Sequence, residues 1–362
     1  MGQNACSNST FRRLFVGGAD FFAPLVYNSD IMHKFAPDVW RCCRTRYYIL
    51  YMWWHLLALL VACIWGSTFA ASSILIDAGL TPAEILCLRF LIAYLLMLPF
   101  CRKAIVPRSP RDEGLFILLG LCGGSLYFLT ENYAIKLTDY TSTVALVVST
   151  TPIYTALIHH IFWKTEHLGK RFLTGTVVAL CGVSMVVLNG IFVLDDNPWV
   201  ILLSFLAALC WAFYGIILKV LERRYHSDVI TRKIFFWGLV TIIPIVFVNA
   251  DTGDSTPLFA SHGRLLLESK VWTNLLYLAL IASLFCFLVW SIVCRRLTVV
   301  TASNYLYFNP VASLIIGSIL LDETLTAPAV MGCALTISGV YLCNSHHLLP
   351  PAVRRRVRKG AD

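Results

Sequence analysis

"DETLTAPAVMGCALTISGVYL", Asp322–Leu342, repeats a phrase met earlier in the chain, "TEHLGKRFLTGTVVALCGVSMVVL", Thr165–Leu188. Counted from Glu166 and Glu323, Leu168 pairs with Leu325, Gly175 with Gly332, Gly182 with Gly339 and Val183 with Val340. Upstream, Glu166 follows Pro152 by 14 residues and Glu323 follows Pro310 by 13. A weaker echo sets "CIWGS", Cys63–Ser67, against "LCWAF", Leu209–Phe213, which places Trp65 opposite Trp211. The intervening lengths differ by 12 residues, which the polar stretch Asn249–Lys270 absorbs. The chain reads as a duplication.

Composition says what kind of unit was duplicated. The 362 residues are 58% hydrophobic and 14% charged, against about 25% charged in a soluble domain. Mean hydropathy is +0.73. So little polar surface requires an apolar solvent, and the lipid bilayer is the expected one. Apolar runs of about 18 residues or more, each able to cross about 30 Å of hydrocarbon, number ten. They run from Trp53–Leu75 to Ala327–Cys343, and the seventh, Ile234–Val248, is short. None alternates polar and apolar residues as a membrane barrel strand does.

Lys and Arg give the orientation. With the N-terminus in the cytoplasm, 25 of the 29 fall on cytoplasmic segments, Lys136, Arg264 and Lys270 fall outside, and Arg89 lies within a span. Such asymmetry marks the inside and predicts ten spans with both ends cytoplasmic. The net charge of +9 belongs to these loops and to the tail "RRRVRK", so nucleic acid is not an expected partner. Five spans per copy is an odd number, and the second copy must enter the membrane from the opposite side. The expected fold is an all-α membrane protein of ten transmembrane helices, arranged as two inverted five-helix repeats. That architecture recurs among secondary transporters.

Polar side chains inside the spans mark candidate sites. Arg89 lies about seven residues from the outer end of its span, about 10 Å deep. An ionised group there needs a partner or water. Glu131 lies near the outer end of the third span and is its candidate partner, either as a structural ion pair or as a charged cavity wall. Ser149, Thr150 and Thr151 precede Pro152, and Asn304, Tyr305, Tyr307 and Asn309 precede Pro310. Proline removes a backbone donor, and neighbouring hydroxyls can take up the freed groups. Two related kinks near mid-membrane predict a substrate chamber. Thr151, Tyr154, Asn304, Tyr307 and Asn309 belong to it, Pro152 and Pro310 act as kinks, and Trp65, Tyr127, Trp211 and Tyr214 supply aromatic walls. Gly120, Gly123, Gly124 and Ser125 form a small face suited to close helix packing.

The 13 cysteines read as small buried hydrophobes. His159 and His160 complete no metal-ligand spacing. Neither a phosphate loop nor a nucleophile elbow is present in the sequence, so no cofactor, metal or enzymatic activity is expected.

The chain resembles the drug/metabolite transporter superfamily, and within it the EamA-like exporters. The resemblance rests on "WGSTF" (Trp65–Phe69), "LRF" (Leu88–Phe90), Thr141–Val183, "WAFYGIILKVLERRY" (Trp211–Tyr225) and Val289–Val340. It implies transport of small metabolites across the inner membrane, through a cavity bounded by both halves. By motif match, Trp65, Arg89, Pro152, Glu166, Trp211, Pro310 and Glu323 occupy recurrent positions, with Glu166 and Glu323 as helix-start and gate-turn residues. The expected organisation is a cytosolic extension over 1–51, repeats over 52–193 and 198–343, and a basic cytosolic tail over 344–362. Met32 or Met52 is an alternative start. The expected function is a secondary transporter, working as an exporter of an amino-acid-like or other amphipathic compound. A coupling proton is a candidate partner, and the assembly is a monomer or homodimer. A flippase for lipid-linked substrates and a non-transporting scaffold are the alternatives.

Overall fold

The computed structural model describes residues 37–99, 107–138, 141–163, 169–188, 197–251, 268–321 and 326–345. Glu166, Glu323, most of the N-terminal extension and the basic tail lie outside them. The described chain divides into two units, Leu57–Asn344 and a second made of Met1–Leu56 with Ser345–Asp362. Within the second unit, the Tyr51 ring meets the edge of His55 at 5.0 Å.

The described elements are helices. They are α1 (Pro37–Asp77), α2 (Pro82–Met97), α3 (Pro110–Lys136), α4 (Thr141–Val148 and Thr151–Trp163) and α5 (Lys170–Leu188). There follow α6 (Pro198–Leu221), α7 (Ser227–Asp251), α8 (Ser269–Leu297), α9 (Val299–Ser303, Asn304–Tyr307 and Phe308–Leu321) and α10 (Ala327–Asn344). Among the described residues, nine helices are long and apolar enough to cross a membrane. The remaining expected span is α2, whose 16 residues rise about 24 Å. The starts follow local chemistry. Thr81 and Glu84 form a reciprocal capping box ahead of Pro82. Ser109 and Asn197 cap α3 and α6, each followed by a proline at the first position, where its missing N–H costs nothing.

The seventh span is longer than its hydropathy predicted. The helix begins at Ser227 and runs 25 residues. Thr231, Arg232 and Lys233 are buried in its first turns, so polarity there marks partners rather than a water-exposed loop.

The duplication shows in matching irregularities. The third helix of each copy carries a wide π-helical stretch, Leu121–Leu126 in α3 and Tyr277–Phe285 in α8. The fourth of each is interrupted ahead of its proline, at Ser149–Thr150 in α4 and by the tight 3-10 turn Asn304–Tyr307 in α9. In α4 the reason is visible. Pro152 cannot donate to the carbonyl of Val148, and the Thr151 hydroxyl donates to that oxygen at 2.6 Å instead.

The repeated glycines of the opening phrases face one another. A Cβ on Gly182 would lie 2.6 Å from the Gly332 carbonyl oxygen, and one on Gly332 would lie 2.7 Å from that of Gly182. A Cβ on Gly175 would lie 2.8 Å from the Gly339 oxygen. Gly175 corresponds to Gly332, and Gly182 to Gly339. Exchanging the copies therefore turns one contact into the other, as a two-fold relation requires. Rising numbers on α5 meet falling numbers on α10, so the two helices are antiparallel. The repeats are inverted, and the small residues let these backbones touch. The glycines of α3 behave likewise: Gly120 abuts Trp237 and Gly238 of α7, and Gly123 lies against the ring of Tyr214.

One link is unusual. A single residue, Thr298, joins α8 to α9 at φ 114°, a region costing a non-glycine residue about 1–3 kcal/mol. Its hydroxyl accepts the Thr301 N–H at 3.3 Å and so caps α9.

Candidate functional site

An aromatic cluster fills the middle of the Leu57–Asn344 unit, where α1, α3, α6 and α8 converge. Trp65 meets Trp211 edge-on with ring centres 5.1 Å apart. Tyr127 lies 5.0 Å from Trp211, and Trp290 lies 5.1 Å from Trp65. The Trp65 indole donates to the carbonyl of Ala282 at 3.0 Å, which fixes the ring. The two tryptophans that the repeat places opposite each other are therefore in contact.

A cavity of about 30 Å³ lies against this cluster, room for a few waters and far less than a metabolite needs. From α1 come Trp65, Thr68 and Phe69; from α3, Tyr127, Phe128 and Glu131. Ala145, Val148, Ser149 and Thr151 contribute from α4, Trp211 from α6, and Leu306, Asn309 and Pro310 from α9. Both interrupted helices thus reach the wall, and both copies contribute.

Glu131 is 7% exposed and accepts the Tyr127 hydroxyl at 2.8 Å. Arg89 stands elsewhere. Its guanidinium carbon is 4.4 Å from the centre of the Phe128 ring, and its Nε donates to Ser283 at 2.8 Å. The Arg89 Nη2 has no hydrogen-bond partner among the described residues. Phe128 lines the cavity and Arg89 does not. The expected ion pair between Arg89 and Glu131 is not formed: no Lys or Arg nitrogen lies within 4 Å of the Glu131 carboxylate among the described residues. The two charges act on each other at longer range.

The other sequence-predicted residues divide between wall and surroundings. Trp65, Tyr127, Glu131, Thr151, Trp211, Asn309 and Pro310 line the cavity. Tyr154 packs edge-on against Phe205 at 5.3 Å, and Tyr214 lies fully buried 4.9 Å from Trp211. Asn304 donates to the Asn344 side chain at 2.7 Å, Tyr307 is buried away from the wall, and Pro152 shapes α4 without touching the cavity. Sequence reasoning missed Phe128 as a wall, along with Thr68 and Phe69. The first two of these could have been found: Phe128 adjoins Tyr127, and Thr68 sits one helical turn from Trp65.

Charged residues tie the helices together at one end of the bundle. Arg224 pairs with Asp112 at 2.6 Å, Tyr225 donates to the same carboxylate at 2.7 Å, and Arg295 donates to the Tyr225 carbonyl at 2.5 Å. Beside them Lys233 and Trp237 both donate to Glu113 at 2.7 Å. The first turn of α3 is thereby tied to the α6–α7 hairpin and the end of α8. His159, near the same end, has its Nδ1 3.3 Å from the Lys219 ammonium.

A multi-pass helical bundle of inverted repeats, with a polar-and-aromatic cavity at their junction, defines a membrane transporter for small molecules. The EamA-like transporter family model matches the chain twice, over residues 52–188 and 198–345, and the chain belongs to that family. An uncharacterized transporter of Archaeoglobus fulgidus is 24% identical over 295 residues, covering 80% of this chain and 96% of its own. A probable amino-acid metabolite efflux pump of Salmonella typhimurium is 26% identical over 296 residues, covering 79% and 93%. A probable terminal-alkyne amino-acid exporter of Streptantibioticus cattleyicolor is 26% identical over 247 residues, covering 67% and 76%. One solved crystal structure shares the fold, with a TM-score of 0.62 at 18% identity over 83% of this chain and 97% of that one.

Proposed function

We propose that this transporter is a secondary exporter of a small amphipathic, amino-acid-like metabolite across the inner membrane, with both termini cytoplasmic. The repeats span 52–193 and 198–343, between the extension over 1–51 and the tail over 344–362. The observation that carries the reading is the cavity itself: a buried carboxylate, hydroxyls and an amide share a wall with tryptophan and tyrosine rings, at the junction of both copies. Names of relatives support the direction and the class, since two of them are named a probable amino-acid metabolite efflux pump and a probable terminal-alkyne amino-acid exporter.

The cavity holds only a few water-sized groups, so a whole metabolite enters only when the helices move apart. Inverted repeats supply the movement, because each copy can adopt the other's conformation. The charged end formed by Asp112, Arg224, Glu113 and Lys233 lies on the side that the Lys and Arg distribution assigns to the cytoplasm, and it acts as the closed inner gate. Trp65, Tyr127, Glu131, Thr151, Trp211 and Asn309 bind substrate directly. Arg89, Tyr154, Tyr214, Asn304 and Tyr307 hold the site from behind, and Pro152 and Pro310 set the kinks. A proton is the coupling ion.

The test compares metabolites inside and outside cells that lack or overproduce the protein, with an Arg89→Ala control. The reading expects an amino-acid-like compound that accumulates inside the first strain, outside the second, and in neither place with the control. A compound moving inward with overproduction overturns the direction. No compound moving in either strain overturns transport.

A further inference from the structure

The polar groups on the cavity wall share one property: most have already used their protons. The Thr68 hydroxyl donates to the Trp65 carbonyl at 2.7 Å. Ser149 and Thr151 donate to the carbonyls of Ala145 and Val148, each at 2.6 Å. The Tyr127 hydroxyl donates to Glu131. A hydroxyl whose proton is engaged keeps its lone pairs as acceptors. Asn309 also lines the cavity, and its buried Oδ1 has no hydrogen-bond partner among the described residues. Glu131 is a buried carboxylate with one hydroxyl donor and no cation within ion-pair distance among the described residues.

An acceptor-rich wall around so small a cavity takes a compact, donor-rich cation. The rings agree, since Trp, then Tyr and Phe, attract a cation over their faces, and Trp65, Trp211, Tyr127 and Phe128 all reach the wall. A quaternary ammonium has no N–H to give. A primary ammonium has three. The positive group already nearby, Arg89, is screened from the cavity by the Phe128 ring.

Resting on the reading of this cavity as the substrate site, we propose that it is the subsite for a primary ammonium group, seated between the Glu131 carboxylate, the Asn309 Oδ1 and the Trp65–Trp211 ring pair. The charge that reads the substrate is therefore Glu131, and Arg89 is a positioning residue. The substrate carries an amine at one end, and its remainder extends along the aromatic wall as the helices open. A site built to accept N–H bonds rejects an analogue lacking them, because its buried acceptors are then left unpaired.

The experiment titrates the purified full-length chain in lipid nanodiscs with three probes of one ring and one chain length: 2-phenylethylamine, phenylacetate and 2-phenylethanol. Binding is read by calorimetry, in potassium buffer and again in sodium buffer. The expected result is amine binding at least 10-fold tighter than alcohol or acid. Glu131→Gln is expected to bring the amine level with the alcohol, and Asn309→Ala to weaken the amine alone. The wild-type ranking needs no variant, so it decides even if Glu131→Gln fails to fold. Equal binding of the three probes, preference for the acid, a sodium heat without amine preference, or no binding up to 10 mM each overturns the subsite. Its failure is separable from failure of the transport reading. Efflux of an amine-free metabolite with no amine preference removes the subsite and leaves the exporter. Amine preference without any moved metabolite does the reverse.

Discussion

The Arg89 guanidinium lies face-on to Phe128, 4.4 Å from its ring centre, while its Nε donates to Ser283 at 2.8 Å. One side chain thus joins α2 to α3 and to α8, and sits one ring's thickness from the cavity. The planar guanidinium makes both contacts at once, its face to the ring and its Nε–H to the hydroxyl. Lysine has neither plane nor fork, and a cation over a desolvated ring contributes about 2 kcal/mol.

Arg89→Lys should therefore keep the charge and lose the placement. We expect efflux of the compound found in the metabolite comparison to fall at least 10-fold per molecule of protein, with wild-type membrane abundance and gel-filtration profile. Phe128→Tyr, which keeps the ring, should retain most of the rate. A wild-type rate in Arg89→Lys would mean that charge alone is what the position supplies.

The facing glycines of α5 and α10 allow a sharper contrast. A methyl at position 182 or 332 meets backbone atoms of the opposite helix, which cannot swing aside as a side chain can. Overpacking of this kind costs about 1–3 kcal/mol. Gly114 is a helical glycine with nothing within 4 Å of its missing Cβ, where alanine gains about 0.5–1 kcal/mol. Heating the detergent-solubilised variants should show Gly182→Ala and Gly332→Ala melting several degrees below wild type and Gly114→Ala at or above it. Equal melting of all three would contradict the close approach of the two backbones.

These glycines were also the most legible part of the sequence. A nine- and sixteen-residue spacing repeated after two glutamates carries register information, and register decides which faces meet. The kinks were legible for the same reason, because a proline in a span leaves a definite carbonyl to be satisfied. Arg89 was only half legible. Its position along the span gives depth, but whether it faces a cavity or a neighbouring ring depends on the rotation of α2 and on Phe128 standing between. Ala145, Val148 and Leu306 carry no chemical signal at all, and only the packed helices place them on the wall. The start of α7 was misjudged because Lys233, polar in sequence, is held by Glu113 from α3, a partner 120 residues away.

Glu222 gives the pH test. It follows α6 just beyond the membrane span, and burial pushes its carboxyl up to about 8 against the opposing charge of Arg295 and a hydrogen bond from Ser291. In the unfolded chain a glutamate titrates at about 4.3. Between those values the folded protein binds more protons than the unfolded one, so stability falls as pH rises. The contribution is flat below about 4 and flat again above about 8, where the buried carboxylate is charged in full. Glu222→Gln keeps the shape and removes the titration. Melting midpoints measured from pH 5 to 9 should coincide at the acid end and diverge as pH rises, with the glutamine variant the more stable by an amount that levels off above pH 8. Parallel curves would show that Arg295 keeps Glu222 ionised throughout, and that the α6 end is held by an ion pair instead.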